Sequence, residues 1–233
     1  MTLDRLQTFL DATADDSPVH VTLRGLVFHM LEAVAPKLYG ARGLKPLHEA
    51  ALEGCAHIGY AFDDAEDPDR LQAGIDAWYL RHLRGLPHQK PDRLLLRATL
   101  ERLNDGGDTI YSWLLGELAA RAGLDARLTF TRADFKSSRL HEAYYLTHLV
   151  MLDSDYFARP ASHADARDWS DALAQLVPWL TRSPNADLAG EVALCLHFLK
   201  RPEATTAKKL IEGVAPDHDT HQQATMLLAL SAE

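Results

Sequence analysis

An all-α fold is predicted by three features of this sequence. Apolar residues recur at i, i+3, i+4 and i+7 in most stretches between breaks, the spacing of one helix face. Glycine, proline and Asn-Asp pairs interrupt those stretches at regular distances. Only Leu128–Ser138 reads otherwise: its L-T-F-T-R alternates and is rich in β-branched residues, the pattern of a short strand or an extended excursion.

Taken in order, Thr2–Ala14 lines up Leu3, Leu6, Phe9 and Leu10 and stops at Asp15-Asp16-Ser17-Pro18. Val19–Pro36 places Leu23, Leu26, Val27, Met30, Leu31 and Val34 on one side, and Tyr39–Gly43 is a glycine turn. Pro46 opens a helix over Leu47–Phe62, where a missing N–H costs little. The acidic loop Asp63–Asp69 leads to Arg70–Arg84, which ends at Gly85 and Pro87. A helix from Pro91 to Leu103 stops at Asn104-Asp105-Gly106-Gly107, and Asp108 or Thr109 can cap Ile110–Ala122. After the extended stretch come helices over about Ser138–Asp155, Ser162–Arg182, Asp187–Lys200, Glu203–Gly213 and His218–Ser231.

Helix starts near residues 44, 91, 138 and 186 recur at about 47 residues, which predicts a helical-hairpin repeat. Glu142-x5-His148 and Glu191-x5-His197, 49 residues apart, fit the same register. The expectation is about five hairpins plus a final helix, an incomplete α/α toroid or a strongly curved solenoid. One domain spans 1–233, with a sub-boundary in 124–137. Leu47–Phe62, Ser138–Leu152 and Asp187–Lys200 carry few charges and are expected inside; Arg70–Arg84 and Ala164–Arg182 are expected outside.

Composition narrows the function classes. Hydrophobic residues at 47% mark a globular chain with a core. A net charge of −9 with no basic run argues against nucleic acid as a partner. No apolar run is long enough for a membrane span, and M-T-L-D-R-L-Q does not read as a secretory signal. Two cysteines, Cys55 and Cys195, make no disulfide framework and favour a reducing cytoplasm.

The segment Arg139–Phe157 concentrates the candidate chemistry. His141, His148 and Asp155 recur every seven residues and form a polar stripe on a largely apolar helix. Imidazole and carboxylate serve as metal ligands or as an acid–base pair. Seven residues cover about 10 Å along a helix, too far for two of them to share one ion. A metal site therefore needs His148 with Glu191 or His197 from a neighbouring helix. Otherwise His148 is a hydrogen-bonded core histidine and Asp155 ends the helix.

Other motifs are weaker. Cys55-x-His57 and Cys195-x-His197 place their side chains on opposite sides of a helix, so small buried cysteines beside packed histidines explain them. Asp63-Asp64-Ala65-Glu66-Asp67 spells D-D-x-x-D, the Mg²⁺-diphosphate motif of class I terpenoid synthases, but it precedes Pro68 in a loop and the second motif of that family is missing. D-H-D-T-H at 217–221 offers His218 and His221 to a surface metal, yet capping by Asp217 or Asp219 is the simpler account. No Gly-rich phosphate loop, G-x-S-x-G, H-E-x-x-H or C-x-x-C occurs, and no cofactor is implied.

Tyr145-Leu146-Thr147-His148 followed by Ser154-Asp155-Tyr156-Phe157 resembles the Thr-His and Thr-Asp-Phe-Gly signature of an uncharacterised bacterial family of helical proteins, with Phe157 in the place of glycine. The Glu191–Leu196 helix resembles the next hairpin of that family, so the likeness covers about residues 138–200. It implies an α/α-hairpin fold, often near natural-product or peptide modification, and no established reaction.

Two functional readings follow. In one, a tailoring enzyme or accessory protein presents His148, Asp155, His141 and Glu191 to a small molecule or peptide. In the other, a non-catalytic helical-repeat module binds a peptide, a protein partner or a second copy of itself.

Overall fold

A computed structural model describes residues 2–62, 68–215 and 218–232, so the D-D-x-x-D stretch at 63–67 lies outside the described residues. The described chain is all-helical: α1 (Thr2–Ala12), α2 (Pro18–Val34), α3 (Pro36–Ala41), α4 (Lys45–Cys55), α5 (Pro68–Leu83), α6 (Arg93–Asp105), α7 (Thr109–Arg121), α8 (Arg132–Phe135), α9 (Arg139–Asp153), α10 (Ala166–Arg182), α11 (Ala186–Phe198), α12 (Glu203–Lys209) and α13 (Thr220–Ser231). No described helix is long and apolar enough to cross a membrane. The described residues group into two compact units, one of 2–14, 27–45 and 142–232, the other of 15–26, 46–62 and 68–141.

In the second of these units, α6 and α7 pack on each other, and α5 packs on α7. The Ser112 hydroxyl of α7 donates to the Leu100 carbonyl of α6 at 2.8 Å. The strand considered for Leu128–Ser138 does not form. Ladder formation needs a partner strand, and just before this stretch arginines of α6 bind the backbone carbonyls instead. Arg93 Nε donates to the Asp125 carbonyl at 2.7 Å, and Arg97 Nη1 donates to that of Arg127. The alternation survives as an extended segment in which Leu128 and Phe130 are half-buried and Arg127, Thr129 and Thr131 exposed. Thr131 and Asp134 then form a capping box that starts α8.

The inside–outside assignment of α4 and α5 is also corrected. α4 buries a single stripe, His48, Ala51, Leu52 and Cys55, whereas α5 is buried without interruption from Ala73 to Arg81. Counting charges misleads here because α5 carries buried charges with partners. Arg81 donates from Nη1 to the Leu52 carbonyl at 2.5 Å and from Nε to the Pro87 carbonyl at 2.9 Å. Leu52 lies in the last turn of α4, where carbonyls lack an intrahelical donor.

The other unit is built around α11. It packs against α10, α12 and α13, and α13 packs against α1. Every residue from Leu188 to Leu196 is buried, as expected of a helix apolar most of the way round. Asn185 accepts from the Leu188 N–H at 2.9 Å and fixes where α11 begins. The glycine turn read at Tyr39–Gly43 overlaps a further short helix, α3, with Pro36 in its first turn.

Past the end of α9, Asp155, Tyr156 and Phe157 have φ of 50°, 54° and 70°. Three consecutive side-chain-bearing residues in the left-handed region cost about 1–2 kcal/mol each. Burial of Tyr156 and Phe157, with the Phe157 ring edge-on to Phe198 at 5.1 Å, offsets that cost.

Candidate functional site

The polar groups of the α11 unit converge on one face of α11. Asp187 and Glu191 are four residues apart in that helix and so lie on the same side. Glu191 sits in the middle of the apolar run L-A-G-E-V-A-L-C-L and is 2% exposed. On α13, the Asp219 side chain accepts from the His221 and Gln222 N–H groups, and this cap sets His221 in the first turn. His221 Nδ1 then lies 3.0 Å from Asp187 Oδ1. Asp187, Glu191 and His221 each bring one ligand-type atom within 4.8 Å of the others.

Hydroxyl groups orient both carboxylates. Tyr144 of α9 donates to Asp187 Oδ2 at 2.7 Å, and Thr225 of α13 donates to Asp187 Oδ1 at 3.0 Å. Thr147 of α9 donates to Glu191 Oε2 at 2.6 Å. Gly190 permits this assembly: a Cβ there would stand 3.1 Å from the Cβ, the hydroxyl and the backbone carbonyl carbon of Thr225. An added Cβ would require Thr225 to give way by a few tenths of an ångström.

The environments pull the two carboxyl groups in opposite directions. Burial pushes Glu191 above the usual carboxylate range, against the pull of His148. Burial also works on Asp187, but bonds from His221, Tyr144 and Thr225 outweigh it and hold its carboxyl below the usual range. Burial alone would lower His221; the Asp187 bond and the charges of Asp187 and Glu191 win and raise it to about 9. Because the His221 side chain is 50% exposed, solvent and salt screen that gain. The Tyr144 phenol is pushed up by burial and then by the charge of Asp187.

The residues singled out from sequence fall in different places. His148 is at the site: Nδ1 lies 4.0 Å from Glu191 Oε2, but it donates to the Tyr144 carbonyl at 2.8 Å. His141 is in the first turn of α9, its backbone N–H reaching Ser138 Oγ at 3.4 Å. Asp155 takes no part in the cluster. Its carboxylate binds Arg159 Nε at 2.5 Å, and its carbonyl accepts from His29 Nε2 at 3.1 Å. His197 is six residues beyond Glu191 on α11, about 9 Å along the axis, too far to share an ion with it.

Both cysteines are buried thiols rather than ligands. Burial pushes Cys55 up to about 11 and Cys195 well above the usual thiol value, and Cys195 Sγ–H points to the Thr147 carbonyl at 3.6 Å. His57 is exposed beside Glu53.

Asp187 is the residue that sequence reasoning passes over; His221 is set aside there as a surface ligand in favour of capping by Asp217 or Asp219, and Asp219 does cap α13. A signal existed in Asp187-x3-Glu191, two carboxylates one helical turn apart on an apolar helix. Compared with family models, curated proteins and solved structures, the chain finds no match.

Proposed function

We propose that the protein acts on a small molecule or peptide at the face where α9, α11 and α13 meet, as a tailoring enzyme or an accessory protein. Glu191 is its central acidic group, Asp187 and His221 form a charged pair beside it, and His148 stands at its edge. The observation that carries this reading is the setting of Glu191. A structural buried carboxylate is normally met by a cation or by several donors. Among the described residues Glu191 receives one hydrogen bond, from Thr147, and shares its face with a second carboxylate. Pairs of carboxyl groups driven apart in this way suit acid–base work. The resemblance carried by Thr147-His148 and Ser154-Asp155 supports a peptide or natural product as the substrate class, and the free cysteines agree with a cytoplasmic setting. The test is a thermal-shift survey of peptides and small molecules on the full chain. Ligands that stabilise the wild type and lose that effect in Glu191→Gln and Asp187→Asn support the reading; a survey with no such ligand removes it.

One observation favours a non-catalytic helical module that binds a peptide or protein partner. His148 spends Nδ1 on the carbonyl of its own helix, a structural use of the ring. In that case His148→Gln leaves both ligand affinity and ligand integrity unchanged, whereas the enzyme reading requires conversion of the ligand, lost in Glu191→Gln.

A further inference from the structure

We infer that Asp187, Glu191 and His221 bind one divalent transition-metal ion, of the Mn²⁺, Fe²⁺ or Zn²⁺ class, at the site proposed above; the inference rests on that site being functional.

Three observations lead there. The first is the donor set. Two carboxylates and one imidazole suit the borderline ions of the first transition row better than Ca²⁺, which prefers oxygen alone, or Cu(I), which prefers sulfur. Their donor atoms already lie within 4.8 Å of one another, and the 3.0 Å between Asp187 Oδ1 and His221 Nδ1 is close to the separation of two ligands on one ion at about 2.0–2.1 Å each.

The second is Glu191 itself. It is 2% exposed, and among the described residues its Oε1 receives no hydrogen bond. The nearest basic group, His148 Nδ1 at 4.0 Å, donates to the Tyr144 carbonyl. The chain answers this buried carboxylate with one hydroxyl, with His148 at 4.0 Å and with a half-exposed His221 already paired with Asp187, which leaves its charge less than fully compensated. Asp187, one turn away, adds to the demand.

The third is the surrounding shell. Tyr144 and Thr225 fix Asp187, and Thr147 fixes Glu191, each through a hydroxyl on a different helix from the carboxylate. Outer donors of this kind hold metal-binding carboxylates in orientation. The half-exposed His221 ring leaves a solvent-facing side on which an ion could keep water or take a substrate oxygen or nitrogen.

The test uses the full chain, stripped with a chelator and titrated with Zn²⁺ and with Mn²⁺ by calorimetry, and with Co²⁺ by visible absorption. One equivalent per chain and ligand-field bands from Co²⁺ are expected. Glu191→Gln and His221→Gln should each weaken binding by at least about tenfold, and Thr147→Val, which keeps all three ligands, by about 10-fold to 100-fold. His57→Gln, exposed and outside the cluster, should change nothing. Circular dichroism melts confirm that each variant is folded, and His221→Gln at its half-exposed position serves if Glu191→Gln is not. Absence of stoichiometric binding by all three ions, or binding that survives His221→Gln, overturns the inference. Metal binding without any ligand from the thermal-shift survey would leave the metal site and remove the functional reading. Ligands lost in Glu191→Gln on a protein that binds no metal would do the reverse.

Discussion

Arg81 and Glu191 are both buried charges in largely apolar helices, and they are compensated in opposite ways. Arg81, 5% exposed, spends its donors on the Leu52 carbonyl at the end of α4 and on the Pro87 carbonyl, so its role is complete within the fold. Glu191 has one hydroxyl donor, a second carboxylate on the same face and a half-exposed imidazole across from it. Burial of charge is common to both. What separates scaffold from site is whether the chain itself finishes the compensation.

Arg81 carries the largest expected effect. Arg81→Met keeps the apolar stem and strands the buried Leu52 carbonyl, which should cost about 1–3 kcal/mol of unfolding free energy in urea titrations. A loss below about 1 kcal/mol would mean that Arg81 is no more structural than Glu191.

At Glu191 the opposite sign is expected. The folded state raises this carboxyl above its ordinary 4.5, so over that window it holds more protons than the unfolded chain. Its contribution to stability therefore falls as pH rises from 4.5 through the raised folded value. Glu191→Gln should lose that pH dependence and match or exceed the wild type above it. Urea titrations from pH 4 to pH 8 on metal-free protein check this; a variant less stable than wild type throughout would make Glu191 a structural charge.

His221 sharpens the same region. Raised from 6.5 to about 9 in the folded state, it stabilises fully below pH 6.5, and that stabilisation is lost as pH rises through 9. His221→Gln should flatten the stability profile between those limits, and added salt should shrink the difference because the ring is half exposed.

The smallest effect belongs to Asp155, which has the residue type of a site but not its place. Asp155→Gly relieves a left-handed φ of 50° at the cost of a surface pair with Arg159. Thermal melts should show a change within about 1 kcal/mol, with a gain more in keeping than a loss, and metal and ligand binding should stay as in the wild type.

Much of the fold was legible along the chain because helices are local. Apolar periodicity, Pro46 at a helix start, Asp219 as a cap and the Asn104–Gly107 stop act within a few residues, whereas Pro36, read as a helix end, opens α3. Leu128–Ser138 misled because its alternation is real but strand formation needs a partner, and the stretch turns instead into α8 through the Thr131–Asp134 capping box. The glycine anticipated at Phe157 has a physical reason in its φ of 70°.

Near neighbours set the all-α class and most of the helices, because backbone hydrogen bonding and side-chain periodicity are local; some ends differ, as at Cys55, where α4 stops short of the Phe62 expected. The sequence by itself also marked Glu191 and His148. Only the tertiary structure decided that Asp187 meets His221, 34 residues away, and that Thr147 meets Glu191, 44 away. That meeting depends on how closely helices approach, as at Gly190, and on which buried charge finds a partner. Neither is written in the spacing of any single helix.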